Sequence, residues 1–144
     1  MRALIVTTLA ALTIAACGAT ATPSSSATPT LTPATLSRPP TSVKITLVTP
    51  TNGEVVHGST VHIVVVISGG TVTPTYSTHI SPTVGHVHLY FDNQLVYMSY
   101  TLHQDLPVQP GFTYTMYAEW VAADHFPFSP RDVTPPVIFH VAAS

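Results

Sequence analysis

The most constraining feature of this sequence is a series of short apolar–polar alternations that runs from residue 43 to residue 142. A period of two residues is typical of strands with one buried face, and no segment shows the period of about 3.6 residues that marks a helix. The pattern therefore predicts an all-β, antiparallel sandwich of about 100 residues. Its expected strands, separated by Pro-, Gly- and Asn-rich turns, lie at 43–48, 60–68, 86–91, 95–100, 112–121 and 137–142. Residues 122–136 are expected to form a loop, and residues 71–83 a loop with room for a short edge strand as a seventh.

The N-terminus has a different character. Residues 1–16, MRALIVTTLAALTIAA, carry one positive charge at Arg2 and then an apolar, Thr-rich run. This run is too short to span a bilayer as a stable helix, and it fits the apolar region of a secretory signal peptide. Cys17, the only cysteine of the chain, follows directly.

The context of that cysteine, IAACG at residues 14–18, resembles the lipobox of bacterial lipoproteins. The resemblance implies cleavage before Cys17 and a diacylglycerol on its thiol, with further acyl chains such as palmitate on the new amine. Two or three chains anchor a protein stably where one does not. We therefore expect a lipid bilayer as a partner through Cys17 and a location on the extracytoplasmic side of a cell-envelope membrane. An ordinary signal peptide is the alternative.

Residues 17–42 are almost entirely Thr, Ser, Pro and Ala after the cysteine and its glycine. Such a segment lacks the large apolar side chains that offset the entropy of ordering, so it is expected to be a disordered tether. The sandwich is then expected to occupy residues 43–144.

Charge is sparse, with four Lys/Arg and six Asp/Glu against eight His. The absence of a basic run argues against a nucleic-acid partner. An acylated Cys17 leaves no thiol for catalysis, a disulfide or a cysteine-based zinc site. No Gly-x-Ser-x-Gly elbow and no Gly-rich phosphate loop occur, so the chain is not expected to be an enzyme.

The strand motifs resemble those of bacterial immunoglobulin-like domains. The carrying segments are TPTNGEVVHGSTVHIVVVIS (49–68), HLYFDNQLV (88–96), YTMYAEWVAAD (114–124) and VIFHV (137–141). In that family strands C and F are neighbours in one sheet, and the B–C and F–G loops lie at the same end of the sandwich. The chain departs from the family at Asn93, where a turn glycine is usual, and in its long F–G loop.

Alternation then orients the side chains. Val87, Leu89 and Phe91 must point inward, because the opposite choice would expose all three. The outward residues of this strand are thus His86, His88 and Tyr90. In the expected strand F, the same reasoning turns Tyr114, Met116, Ala118 and Trp120 inward and leaves Tyr117 and Glu119 outward.

A candidate metal site follows from this placement. His79 lies in the expected B–C loop and Asp124 and His125 in the expected F–G loop, so they should meet His86 and His88 at one pole, with Glu119 beside them. A mixed nitrogen and oxygen donor set of this kind suits copper or zinc. The segment AADHFPFSP (122–130) also resembles, more faintly, periplasmic copper-resistance proteins of the CopC type, which implies a copper-ligand role for Asp124 and His125 and favours copper.

Two other interpretations stay open. The histidines could be ordinary solvated side chains, and the functional surface could instead be exposed aromatics that bind an envelope protein or a glycan, formed by Tyr90, Tyr117, Phe126 and Phe128. The thioether of Met98 could serve as a soft Cu(I) ligand, whereas the inward parity of Met116 predicts core filling.

Overall fold

The structure, a computed structural model, describes residues 37–143. The expected signal peptide, Cys17 and the expected tether as far as residue 36 lie outside the described residues. Within the described range, no helix is long and apolar enough to cross a membrane.

Residues 37–143 form strands and turns and contain no helix. The ten strands are β1 (Lys44–Thr49), β2 (Val55–Val56), β3 (Thr60–Ser68), β4 (Thr71–Val72), β5 (Val84–Phe91), β6 (Gln94–Ser99), β7 (His103–Pro107), β8 (Thr113–Ala122), β9 (Pro127–Val133) and β10 (Val137–Val141). One sheet has the order β1-β3-β7, and the other has the order β2-β10-β8-β5-β4, with β6 paired to β5 and β9 paired to β8. The all-β sandwich predicted from the alternation is confirmed.

The two sheets enclose the core with the parity expected from the sequence. Val87 and Leu89 of β5 and Met116 and Trp120 of β8 are each no more than 1% exposed. Tyr114 is only half-buried and packs against the edge of this core. Each fully buried large apolar side chain stabilises the fold by about 1.5–3 kcal/mol. Since β5 and β8 pair over seven residues, from Gly85↔Ala122 to Phe91↔Met116, they form the rigid centre of the larger sheet.

The hairpin between β5 and β6 turns at Asp92 and Asn93, which have φ values of 51° and 65°. Two consecutive left-handed residues are what a tight turn between twisted strands requires, and Asn accepts this geometry without the usual glycine. The hairpin has a bulge after Leu89, because Leu89 pairs with Tyr97 and Tyr90 pairs with Leu95.

One expectation about a loop and one about an aromatic side chain are wrong. Residues 122–136 do not form a simple loop, since β9 folds back and pairs with β8 from Glu119↔Val133 to Val121↔Pro127. Phe128 of β9 is 1% exposed and belongs to the core, so the alternation Phe126-Pro127-Phe128 is that of a strand masked by prolines.

The last residues of the expected tether contact the sandwich. The carbonyl oxygen of Pro39 accepts a hydrogen bond from the backbone N–H of Ser129 at 3.1 Å. The Thr41 hydroxyl donates to the carbonyl oxygen of Pro82 at 2.6 Å. The packed part of the chain therefore begins before residue 43, because these contacts hold residues 38–42 against β9 and the segment before β5.

Candidate metal centre

Three imidazoles meet on the outer face of the larger sheet. His86 and His88 lie two residues apart on β5, and His125 comes from the hairpin between β8 and β9. One ligand atom of each ring lies within 4.8 Å of the corresponding atom of the other two. The Nε2 atoms of His86 and His88 are 3.1 Å apart, and the rings of His86 and His125 are 4.5 Å apart at their centroids. We call these three residues the histidine cluster.

The histidines point outward as expected, and the alternative interpretation that His86 and His88 are ordinary solvated side chains is wrong. His86 is 1% exposed and His88 is 4% exposed. Aromatic rings cover the cluster. Tyr100 packs on His86 at a centroid distance of 5.1 Å, His125 stacks on His88 at 6.2 Å, and Tyr76 stacks on His125 at 6.0 Å. The cluster is therefore a covered set of nitrogen donors.

The hairpin that carries His125 has an unusual backbone. The N–H of His125 donates to the carbonyl oxygen of Ala122, and the N–H of Ala122 donates to the carbonyl oxygen of Phe126, both at 3.0 Å. These bonds close a three-residue loop whose last residue must be left-handed, a position that glycine normally takes. His125 occupies it with a φ of 67°. A non-glycine residue there costs about 1–2 kcal/mol, and such strain is concentrated at functional positions.

Asp124 stands beside the histidine cluster but is not one of its three residues. Its carboxylate accepts two hydrogen bonds from the Arg38 guanidinium, at 2.6 and 2.8 Å. Hydrogen bonding to Arg38 holds the pKa of Asp124 below its ordinary value. Arg38 also donates to the carbonyl oxygens of Phe126 and Pro127 at 3.0 and 2.9 Å, so its guanidinium ties the whole hairpin together.

Glu119 is likewise outside the cluster, although it pairs directly with His88 across β5 and β8. Its carboxylate, 1% exposed, accepts hydrogen bonds from Nε and Nη2 of Arg131, each at 2.6 Å, and from the Tyr90 hydroxyl at 2.9 Å. Burial, and then the hydrogen bond to Glu119, raise the pKa of Tyr90 to about 12. With both oxygens engaged, this carboxylate supports the sheet next to the cluster.

His79 is exposed and is not part of the cluster. Its segment does reach the same pole, as expected, since the N–H of Ser77 donates to the carbonyl oxygen of Ala123 at 3.2 Å. The segment places Tyr76, and not His79, against the histidine cluster.

The electrostatic surroundings keep two of the rings unprotonated. Burial, and then the neighbouring imidazoles of His88 and His125, lower the pKa of His86 to about 4. Burial also lowers the pKa of His88 to about 4, against an opposing effect of Glu119. A neutral imidazole offers a lone pair to a metal ion.

The aromatic residues of the alternative interpretation are not collected in one exposed patch. Tyr90 and Tyr117 stack at 4.6 Å and are partly buried. Phe126 is 63% exposed, whereas Phe128 is buried in the core and cannot meet a partner.

Sequence reasoning missed Arg38 and Arg131 as partners of Asp124 and Glu119. The composition could have indicated these partners, because the chain has only four cationic side chains, at positions 2, 38, 44 and 131. A buried carboxylate needs a cation or several donors. In a chain so poor in charge, the two arginines near strands were the available partners.

The donor set of the cluster suits a borderline transition metal. Three imidazoles and an open fourth position are typical of zinc sites that bind water or a substrate, and imidazole also suits copper and nickel. Hard ions such as Mg²⁺ and Ca²⁺ prefer oxygen donors, and the two nearest carboxylates are held by arginines.

Comparisons with known proteins support the fold. No protein-family model and no curated protein matches this chain. Among solved structures, it is similar to a fibronectin(III)-like module of CbhA from Clostridium thermocellum, with a TM-score of 0.51 and 17% identity, over 69% of this chain and 97% of that one. At this identity the likeness shows an immunoglobulin-like sandwich and nothing finer. The lipoprotein and copper-resistance resemblances stay predictions.

Proposed function

We propose that this protein is a lipid-anchored, extracytoplasmic metal-binding protein whose histidine cluster holds a transition metal, with copper favoured. The observation that carries the proposal is the convergence of His86, His88 and His125, whose ligand atoms lie within 4.8 Å of one another. A metal ion bound by imidazoles at about 2.0–2.1 Å needs its donor nitrogens about 3–4 Å apart, so small side-chain movements complete the site.

Burial strengthens this interpretation. Two imidazoles that are almost fully buried with their Nε2 atoms 3.1 Å apart gain one hydrogen bond between them. That bond uses the lone pair of one ring and the proton of the other, so the pair cannot accept a second proton without repulsion. A metal cation would engage both lone pairs at once and recover the cost of burying them.

Copper is favoured over zinc on two grounds. Cu(II) binds nitrogen donors more tightly than the other divalent first-row metals do. The faint resemblance of residues 122–130 to copper-resistance proteins points the same way. The role we propose is holding or delivery, since the hairpin that carries His125 is at the protein surface and Phe126 beside it is exposed.

The lipid anchor is supported by the sequence alone. An apolar segment followed by IAACG predicts acylation of Cys17 and an extracytoplasmic location. Mass spectrometry of the protein from its membrane fraction tests this: a chain that begins at Cys17 and carries acyl mass supports the anchor, and an unmodified Cys17 contradicts it.

Metal binding is tested by titrating the full chain in detergent with Cu(II) and Zn(II), with Cys17→Ser in every sample so that the thiol cannot bind metal. We expect one equivalent of metal to bind tightly and His86→Ala to abolish that binding. His62→Ala is the matched control, because His62 is an exposed histidine on the other sheet that contacts Asp105 at 2.7 Å. Equal losses in the two variants would contradict the assignment.

A second candidate function, adhesion or assembly without metal, is favoured by β6. Leu95, Val96, Tyr97 and Met98 of this strand are each 41–46% exposed. Among residues 37–143, β6 pairs only with β5, so within this range its other edge is open. An open apolar edge is suited to strand addition by a partner protein. If this second function holds, Tyr97→Lys should abolish partner binding and the parent protein should bind no metal tightly.

A further inference from the structure

Met98 lies next to the histidine cluster. On β6 it pairs directly with His88 across the strands, so the two side chains share one face of the sheet. The neighbouring residues confirm this orientation: Ser99 is 1% exposed on the inner face, and Tyr100, with the same parity as Met98, packs on His86 at 5.1 Å. Side chains directly opposite each other have Cβ atoms about 4.5–5.5 Å apart, which brings the Met98 sulfur within reach of the metal position.

Other donors near the cluster are already engaged. On the opposite side of His88 in the sheet is Glu119, whose two oxygens accept from Arg131. Asp124, next to His125, accepts from Arg38 through both of its oxygens. The thioether of Met98 is a donor on the same face without a competing cation, and it is 44% exposed, so it can turn toward the cluster.

We infer that Met98 is the fourth ligand of the site and that it directs the site toward Cu(I). This inference rests on the proposed metal-binding function. Thioether sulfur is a soft donor that selects Cu(I), and it contributes little to the binding of Zn(II). The unbranched methionine side chain adapts its rotamers easily, so it can close the site after the ion has met the three imidazoles.

The test compares Met98→Leu with the parent in the full chain carrying Cys17→Ser, in detergent and without oxygen. Cu(I) affinity is measured by competition with a coloured Cu(I) chelator. We expect Met98→Leu to weaken Cu(I) binding at least about tenfold and to leave Zn(II) affinity within about threefold, because only the soft ligand is lost. Met116→Leu is the matched control, since it removes the thioether of a methionine that is 0% exposed in the core.

A second measurement observes the sulfur directly. Ag(I) is a diamagnetic substitute for Cu(I), and the methionine methyl signals report its contact with sulfur in NMR spectra. Met1, Met98 and Met116 are the methionines of the chain, so the two leucine variants assign the signals. We expect one equivalent of Ag(I) to shift the Met98 methyl signal together with the histidine ring signals, and to leave Met116 unchanged.

The results distinguish a failure of the Met98 assignment from a failure of the proposed metal-binding function. If the histidine ring signals shift and the Met98 methyl signal does not, the metal site stands and the assignment of Met98 is overturned. If Met98→Leu weakens Cu(I) and Zn(II) equally, its effect is structural and the assignment is again overturned. If the parent binds neither Cu(II), Zn(II) nor Ag(I), the proposed function fails and the fourth ligand fails with it.

Discussion

Nε2 of His86 lies 3.1 Å from Nε2 of His88, in a pair of side chains that solvent barely reaches. Neighbouring imidazoles at this distance repel each other when protonated, and burial penalises their charge further. The sandwich could have filled these positions with apolar side chains at lower cost. Their presence beside His125 is the basis of the metal-binding proposal.

Substitutions at His125 can test the stability of the fold and metal binding separately, because the left-handed backbone affects the first and the imidazole ring the second. Asn accepts left-handed φ values about as readily as His does, so His125→Asn should change the metal-free unfolding free energy by less than about 1 kcal/mol. It should nevertheless abolish tight metal binding, because one of three imidazoles is lost. His125→Val is the contrast: a β-branched residue at φ 67° should cost about 1–2 kcal/mol. Urea unfolding with a chelator present measures both, and equal stabilities of the Asn and Val variants would contradict the argument.

The metal-free protein should lose stability as the solution becomes acidic. The pKa values of His86 and His88 are lowered from 6.5 to about 4 in the fold, so between these pH values the unfolded chain binds more protons. The stability linked to these histidines is therefore complete above pH 6.5 and is lost as the pH falls toward 4. The slope approaches about 3 kcal/mol per pH unit if both histidines take up protons together.

The control for this pH dependence is the variant His86→Leu, His88→Leu. The unfolding free energy of this double variant should change little between pH 6.5 and 4, except for the contribution of carboxylates that take up protons. Protonation of Asp124 also destabilises the fold as the pH falls, because Arg38 lowers the pKa of Asp124 and protonation breaks their ion pair. An unchanged slope in the double variant would assign the acid sensitivity to Asp124 and the other carboxylates.

Arg38, which precedes β1 in the chain, should hold His125 in position by bonding the hairpin that carries it. Arg38→Ala removes four hydrogen bonds to the hairpin, of which two go to Asp124. We expect metal affinity to fall about tenfold or more, as for other residues that orient ligands, with a smaller loss in Arg38→Gln. Lys44→Ala is the control, because Lys44 is an exposed cation on β1. Equal affinities of the Arg38→Ala and Lys44→Ala variants would show that the hairpin holds its shape without Arg38.

Gly85 should be indispensable to the sheet that carries the cluster. A Cβ at this position would collide with the backbone oxygen of Val121 and would lie 3.2 Å from the Trp120 ring. Gly85→Ala must therefore push β5 away from β8 directly beside His86. We expect a loss of at least about 2 kcal/mol in unfolding free energy. Gly53→Ala tests a different glycine, with open space around it but a φ of 81°, and should cost about 1–2 kcal/mol from the backbone alone.

The sequence predicted the sandwich and the orientation of its side chains because the alternation of β5 and β8 is regular. It also predicted that His86 and His125 lie at one pole, and their rings are 4.5 Å apart. It failed on β9, since prolines at positions 127 and 130 hide the alternation that places Phe128 in the core.

The sequence also did not predict how little His86 and His88 are exposed. Alternation identifies which face a side chain occupies, but not what covers that face. The outer face at His86 and His88 is covered by Tyr100, which follows the adjoining strand β6, and by the hairpin of His125, which comes from a more distant part of the chain. The arrangement of Asp124 with Arg38 depends in the same way on long-range contacts, 86 residues apart in the sequence.

Metal binding at the histidine cluster is tested most directly by calorimetric titration of the full chain carrying Cys17→Ser with Cu(II), in the parent and in the His86→Ala, His125→Ala double variant. We expect one tight equivalent in the parent, its loss in the double variant, and its retention in the His62→Ala control, as the metal-binding proposal requires. An absence of tight binding in the parent, or binding that the double substitution leaves unchanged, would contradict it.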